Sequence, residues 1–409
     1  MPLRIALNHT RLEQSGGVEG YLWNLLAHLL DRGHSVDFFA ARFTAPLEHP
    51  GLRLIRVPIL RNPRSAKIAT FALQSRRVIR NEEARRPYDV VQGFSQTFHH
   101  TVYRDGSGCR DDYRELYLDP VHRGPLARLR ARIGLTDRVV RRIERARYVD
   151  RPQRVIIAIS SFVRDQILRR YPVRPETIRV VYSGVDCDRF HPGKRQAGRA
   201  LLATIAGATE APAARWIAFV GNDYLRKGLD ILLDALSLLV RGGAAERGRF
   251  HLAVVGRDPD AARFEARARD LGIQDRVRFL GPRRDIPEIL AGSDVLCLPT
   301  RFDAYANVSS EALASGTPVI ASATSGASEL IRPAFGRVLA RNEAPDLAAA
   351  LSEVLSVEDL EPLRRAAREA ALPLAWAKHY AEIESIYAEA AARVPGGPRA
   401  APRAPGHAR

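Results

Sequence analysis

Strand-like apolar runs alternate with amphipathic helical segments along almost the whole chain, and this pattern limits the fold more than any other feature. LRIALN (3–8), SVDFFA (35–40), LRLIRV (52–57), YDVVQGF (88–94) and RVIIAIS (154–160) read as buried strands. After the first of them Val18, Tyr21, Leu22, Leu25, Leu26, Leu29 and Leu30 recur at helical spacing, and Gly33 closes that helix. The Arg-rich stretch 123–149 reads as another helix, and Ser160–Ser161 offers an N-cap for the one leading to IRVVYSGVD (178–186). Periodicity then fails over 186–215, around His191-Pro192-Gly193. It resumes with RWIAFVG (215–221), FHLAVVG (250–256), RVRFLG (276–281), SDVLCLP (293–299) and TPVIAS (317–322). A last amphipathic helix covers 374–393, and the Pro/Gly/Ala-rich tail 395–409 has the composition of a disordered segment.

The expectation is an α/β chain of two Rossmann-like domains facing a central cleft: residues 1–185, a linker at 186–215, and residues 216–373. A chain of 409 residues exceeds one ordinary core. Ligands of such sheets bind beyond the carboxyl ends of the strands, so the cleft is where chemistry is expected.

Charge is unevenly spread. Residues 1–200 hold 37 Lys+Arg against 20 Asp+Glu, whereas residues 201–409 hold 26 of each. The whole excess of +17 therefore lies in the first half, and points to an anionic partner meeting it. Of the 63 basic residues 59 are arginine, so a GC-rich genome is a competing explanation. Cys109, Cys187 and Cys297 form neither a disulfide framework nor a metal-ligand cluster, as expected of a reducing cytosol. No leader pattern and no membrane-length apolar run is visible, so the expectation is a cytoplasmic protein, soluble or lying on a membrane.

Three segments carry chemistry. In RFDAYANVSSEALASGTPVIAS (301–322) a strand ends, a loop follows, and a helix opens near Asn307. Its small residues and free N–H groups suit a phosphate, with Asp303 and Glu311 as acceptors for sugar hydroxyls. VGNDYLRKGLD (220–230) sets Arg226 and Lys227 beside a helix start, a clamp for a diphosphate. Ser15-Gly16-Gly17-Val18-Glu19-Gly20 follows the first strand but lacks the full dinucleotide spacing. Read singly, each has a plain alternative: a strand-loop-helix unit, a solvated basic turn, a flexible turn.

Together the three resemble the retaining GT-B glycosyltransferases of family 4 along nearly the whole chain. Segment 303–322 is similar to that family's paired-acid motif, with Asp303 in place of the first glutamate. YSGVDCDRFHPG resembles its linker, GPRRDIPEIL (281–290) its base-holding loop, and Trp376–Tyr387 the helix that crosses back to the first domain. VYRDGSGC (102–109) and LRKG most resemble the lipopolysaccharide-core glucosyltransferases.

The resemblance implies transfer of a hexose, with glucose favoured, from a UDP-type nucleotide sugar to a lipopolysaccharide-core or other membrane-surface glycan. It implies no metal and no cofactor. Arg226 and Lys227 would neutralise the departing diphosphate, Glu311 would bind the ribose, and Asp303 would contact the donor sugar. The backbone of Asn307, Val308 and Ser309 would meet the distal phosphate, Arg283 would lie at the base, and Gly16 and Gly17 would admit sugar and phosphate. Asn222 stands where the family commonly has an arginine. His99 and His100, read as exposed loop histidines, and Asp105 are open alternatives for a pocket group from the first domain. Asp186-Cys187-Asp188 imitates a metal-binding triplet but is expected to lie away from the cleft. The rival readings are a GT-B enzyme with a soluble acceptor, a sugar-nucleotide epimerase, and a non-enzymatic binder of an anionic surface or nucleic acid. A nucleic-acid role is disfavoured because the basic run lacks interleaved aromatics.

Overall fold

The computed structural model describes residues 1–13, 17–44, 48–121, 134–149, 155–207, 214–242 and 250–393. The first sheet has seven strands in the order Leu52–Arg56, Ser35–Ala40, Arg4–Asn8, Val90–Gly93, Val102–Asp105, Val155–Ala158, Ile178–Val180. The second has six: Val277–Gly281, Phe250–Val255, Arg215–Val220, Val295–Leu298, Val319–Ser322, Gly336–Leu339. Every neighbouring pair in both sheets is parallel. Parallel sheets are covered on both faces, which explains why the central strands read as unbroken apolar runs.

Two strands of these sheets escape the sequence reading. Val102–Asp105 is short and half charged, so Arg104 and Asp105 hide its apolar signal although all four residues are buried. Gly336–Leu339, at the sheet edge, is buried only at its two ends. The linker also differs from expectation. After a turn at Pro192–Lys194, Arg195–Ala206 forms a helix. Gly198 there touches the helix Ile286–Gly292 so closely that a Cβ would lie 2.0 Å from the Glu288 carbonyl oxygen. Backbone contact through glycine binds the linker to the second domain, a device that periodicity does not reveal.

The last helix, Trp376–Ala392, crosses back to the first domain. Its Ile383, Ile386, Tyr387, Ala390 and Ala391 join the core built by Ile5, Leu7, Leu25 and Val90. The crossing is set where Val185 pairs with Ala375, and Gly184 lies against the Trp376 indole, leaving no room for a Cβ. In the Arg-rich stretch the helix covers Leu135–Tyr148; residues 123–133 and the tail 395–409 lie outside the described residues. Among the described residues no helix is long and apolar enough to cross a membrane.

Candidate functional site

Between the strand Val295–Leu298 and the helix Asn307–Ala314 the chain makes a turn in which Ala306 has φ 60°. That left-handed conformation is strained for alanine and needs outside support. Asp303 supplies it: one carboxylate oxygen accepts the N–H groups of Tyr305 and Ala306 at 3.1 and 2.7 Å. The other accepts Lys227 Nζ at 2.6 Å and an Arg226 guanidinium nitrogen at 3.2 Å. Burial by itself would raise the Asp303 carboxyl, but the Lys227 and Arg226 charges overcome it and hold the group well below the usual carboxylate range.

Four protein donors therefore fill Asp303. Asp303, expected to contact sugar hydroxyls, here anchors the two cations. A carboxylate has about four lone-pair sites, and all are engaged.

The cations are placed by local backbone. Tyr224–Lys227 is a single helical turn between Asp223 at φ 59° and Gly228 at φ 80°. A Cβ on Gly228 would meet the Pro299 carbonyl oxygen at 1.9 Å, so only glycine brings this turn against the end of the neighbouring strand. Asp223, which no motif marked, accepts Arg226 Nε at 3.0 Å and the Tyr117 hydroxyl of the first domain at 3.1 Å. A second bond between the domains joins the Ser160 hydroxyl to the Ala304 carbonyl at 2.7 Å.

Two cavities flank the turn Asp303–Ala306. One, of about 620 Å³, is lined from both domains by Gly17, Arg283, Asn307, Ser310, Glu311 and Trp376, among others. Gly16 lies outside the described residues. Helical spacing sorts its members: Asn307, Ser310 and Glu311 face the cavity, while Val308 packs on the second core and Ser309 is buried. The Ser309 N–H is bonded to the Ala306 carbonyl at 2.9 Å, so it differs from the free phosphate donor expected. Burial pushes the Glu311 carboxyl up to about 7, against the pull of Arg189 and Lys227. Arg283 is paired with Asp285 at 2.9 Å.

The other cavity, of about 490 Å³, brings Arg226 and Asp303 together with Gly106, Gly108, Tyr113 and Glu144 of the first domain. Asp105 is 1% exposed and accepts the N–H groups of Ser107 and Gly108 at 3.0 Å each, which shapes the loop on that wall. Glu144 also escaped the sequence reading; burial pushes its carboxyl up to about 7.

His99 and His100 line neither cavity, and neither is an exposed loop residue. His99 pairs with Glu83 at 2.6 Å, and His100 is 2% exposed beside the Tyr103 ring. Asp186 lines the 620 Å³ cavity, contrary to expectation, because the Val185–Ala375 pairing draws the linker start beneath the cleft. Its carboxylate accepts the N–H groups of Asp188 and Arg189 at 3.2 and 2.9 Å.

Family models match both halves. Residues 15–189 match Glycosyltransferase Family 4, and residues 208–372 match Glycosyl transferases group 1. A D-inositol 3-phosphate glycosyltransferase of Saccharomonospora viridis is 34% identical over 57% of this chain and 54% of that protein. The lipopolysaccharide glucosyltransferase WaaG of Escherichia coli is 26% identical over 91% of this chain and 92% of its own length. A crystal structure of WaaG, described as involved in lipopolysaccharide biosynthesis, superposes with a TM-score of 0.73 at 25% identity. It covers 96% of this chain and 100% of that one.

Proposed function

Because the chain belongs to the GT-B glycosyltransferases, with a family 4 domain followed by a group 1 domain, we propose that it moves a hexose, glucose in the favoured case, from a UDP-type donor to a glycan at a membrane surface, with retention of configuration. The observation that carries this reading is the Asp303 anchor. It holds buried Lys227 together with Arg226, which lines the cavity shared with the first domain, on a turn whose following residues Tyr305 and Asn307 line the cavity with Glu311.

Paired cations fixed in place before the reaction stabilise the charge that grows on a departing diphosphate, and they need no reorganisation when it leaves. In this proposal the nucleotide takes the cavity with Glu311, and the acceptor hydroxyl approaches through the cavity with Glu144. Retention then follows from attack on the face the diphosphate leaves, with the acceptor proton passing to phosphate. The enzyme contributes positioning and charge.

The test is a panel of nucleotide sugars scored for slow hydrolysis and thermal protection. UDP-hexoses should lead, and EDTA should leave the rate unchanged. A strict divalent-metal requirement, or protection by none of the panel, would overturn the reading.

A further inference from the structure

A third cavity belongs to neither side of the Asp303 turn. It measures about 810 Å³ and lies in the first domain, where the chain leaves the strands Arg4–Asn8, Ser35–Ala40 and Leu52–Arg56. Arg11, Arg42, Arg56, Arg61 and Lys67 line it, and among the described residues no carboxylate does. Arg11 is paired with Glu19 at 3.2 Å. Among the described residues the other four have no carboxylate within ion-pair distance.

Cations gathered around one cavity without counter-charges repel each other, and the cavity focuses a positive potential. The helix Arg64–Arg85 ties this cavity to the reaction cleft: Lys67 lines it, while Arg64 and Ile68 line the cavity that holds Arg226 and Asp303. The two cavities thus share one helix as a wall, which places the basic cavity next to the one at the Asp303 turn.

Building on the transferase reading, we propose that the acceptor is a phosphorylated glycan, and that this cavity is the subsite for its phosphate groups. Phosphate oxygens suit it because guanidinium groups bind them in pairs, and three of the four unpaired cations are arginine. The phosphates would fix which acceptor hydroxyl reaches the donor, so the cavity would set specificity without touching the reacting atoms.

Inorganic pyrophosphate, titrated calorimetrically into the full chain with UDP in excess, tests this. Excess UDP keeps Arg226 and Lys227 occupied. Pyrophosphate should bind saturably and more weakly at high salt. The Arg42→Ala/Arg56→Ala/Lys67→Ala variant should lose at least tenfold in that affinity while binding UDP as the wild type does. Absence of pyrophosphate binding, or equal binding by the variant, would overturn the proposal. A parallel arm uses phosphatidylglycerol vesicles: if the triple variant loses the vesicles while pyrophosphate binds neither protein, the cavity serves a lipid surface and the proposal also falls. Failure of UDP to bind the wild type would count against the transferase reading instead, and pyrophosphate titration without UDP would still compare the two proteins at this cavity.

Discussion

At the scale of single residues, the site depends on one carboxylate doing two tasks. Asp303 holds a strained turn with one oxygen and two cations with the other. Lys227 is 7% exposed, so Asp303→Ala would leave a buried ammonium without its partner. Such a loss costs about 3–5 kcal/mol, to be read from denaturant unfolding. The folded Asp303 carboxyl sits below its unfolded value, so its stabilisation is present above about pH 4 and is lost as pH falls further. Asp303→Asn should flatten that acid limb. Arg226→Ala and Lys227→Ala should each lower kcat/KM more than tenfold, or over ~1.4 kcal/mol, and weaken UDP in parallel. Unchanged kinetics in both would remove the clamp. Glu311 predicts a pH dependence of the same sign, but in ligand affinity and at higher pH. Its carboxyl titrates at about 7 and accepts hydroxyl hydrogen bonds best when ionised, so UDP affinity should climb as pH rises through that value. Glu311→Gln, titrated under the same conditions, should lose the part of the profile that the protein contributes. Identical profiles would show that Glu311 does not meet the ribose.

At the scale of elements, much of the site was legible because its chemistry sits at strand ends. The strand-loop-helix units around Arg226 and Asp303 announce themselves by an apolar run, a turn and a small-residue helix start. Three things were not legible. The strand Val102–Asp105 carries two charged residues that its neighbours bury, and burial in a sheet centre leaves no periodic trace. Asp223 and Glu144 act through residues distant in the chain, Tyr117 and Arg110, and no local pattern encodes such a pairing. Nor does any sequence pattern show that backbone N–H groups of its own turn occupy one oxygen of Asp303. Two glycines separate architecture from ligand contact. Gly228→Ala forces a left-handed alanine, about 1–2 kcal/mol in backbone terms, and adds a collision with the Pro299 carbonyl. It should lower the melting temperature and UDP affinity together. Around Gly17 a Cβ would meet nothing within 4 Å, so Gly17→Ala should leave the melting temperature unchanged. If donor phosphate or sugar approaches that backbone closely, the same variant should raise the donor KM; an unchanged KM would move the ligand away from this turn.

At the scale of the whole molecule, the charge asymmetry sets the two domains apart. The second half is neutral overall and carries the Asp303 turn, while the first half holds the full excess of +17. Part of that excess faces the basic cavity, and part lies on the helix Leu135–Tyr148. There Arg138, Arg142 and Arg145 are exposed at helical spacing, with Leu135 63% exposed at the first turn, while Val140 and Ile143 face inward. Arg141 is set apart by ion pairs with Asp111 at 3.2 Å and Asp137 at 3.7 Å. An exposed basic stripe of this kind suits reversible docking on an anionic leaflet, since each basic residue near such a surface contributes roughly 1 kcal/mol. The attraction fades beyond a Debye length of about 10 Å, so it must be sensitive to salt. Cosedimentation should therefore show binding that rises with the phosphatidylglycerol content of vesicles and falls with salt. Arg138→Glu/Arg142→Glu/Arg145→Glu should abolish it while leaving hydrolysis of the donor in solution unchanged, because none of the three lines a cavity with the Asp303 turn. Equal binding to neutral and anionic vesicles would show that the stripe is only solvated surface. The acceptor would then have to reach the enzyme in solution, a result that leaves the transferase chemistry intact and returns the choice of acceptor to the basic cavity.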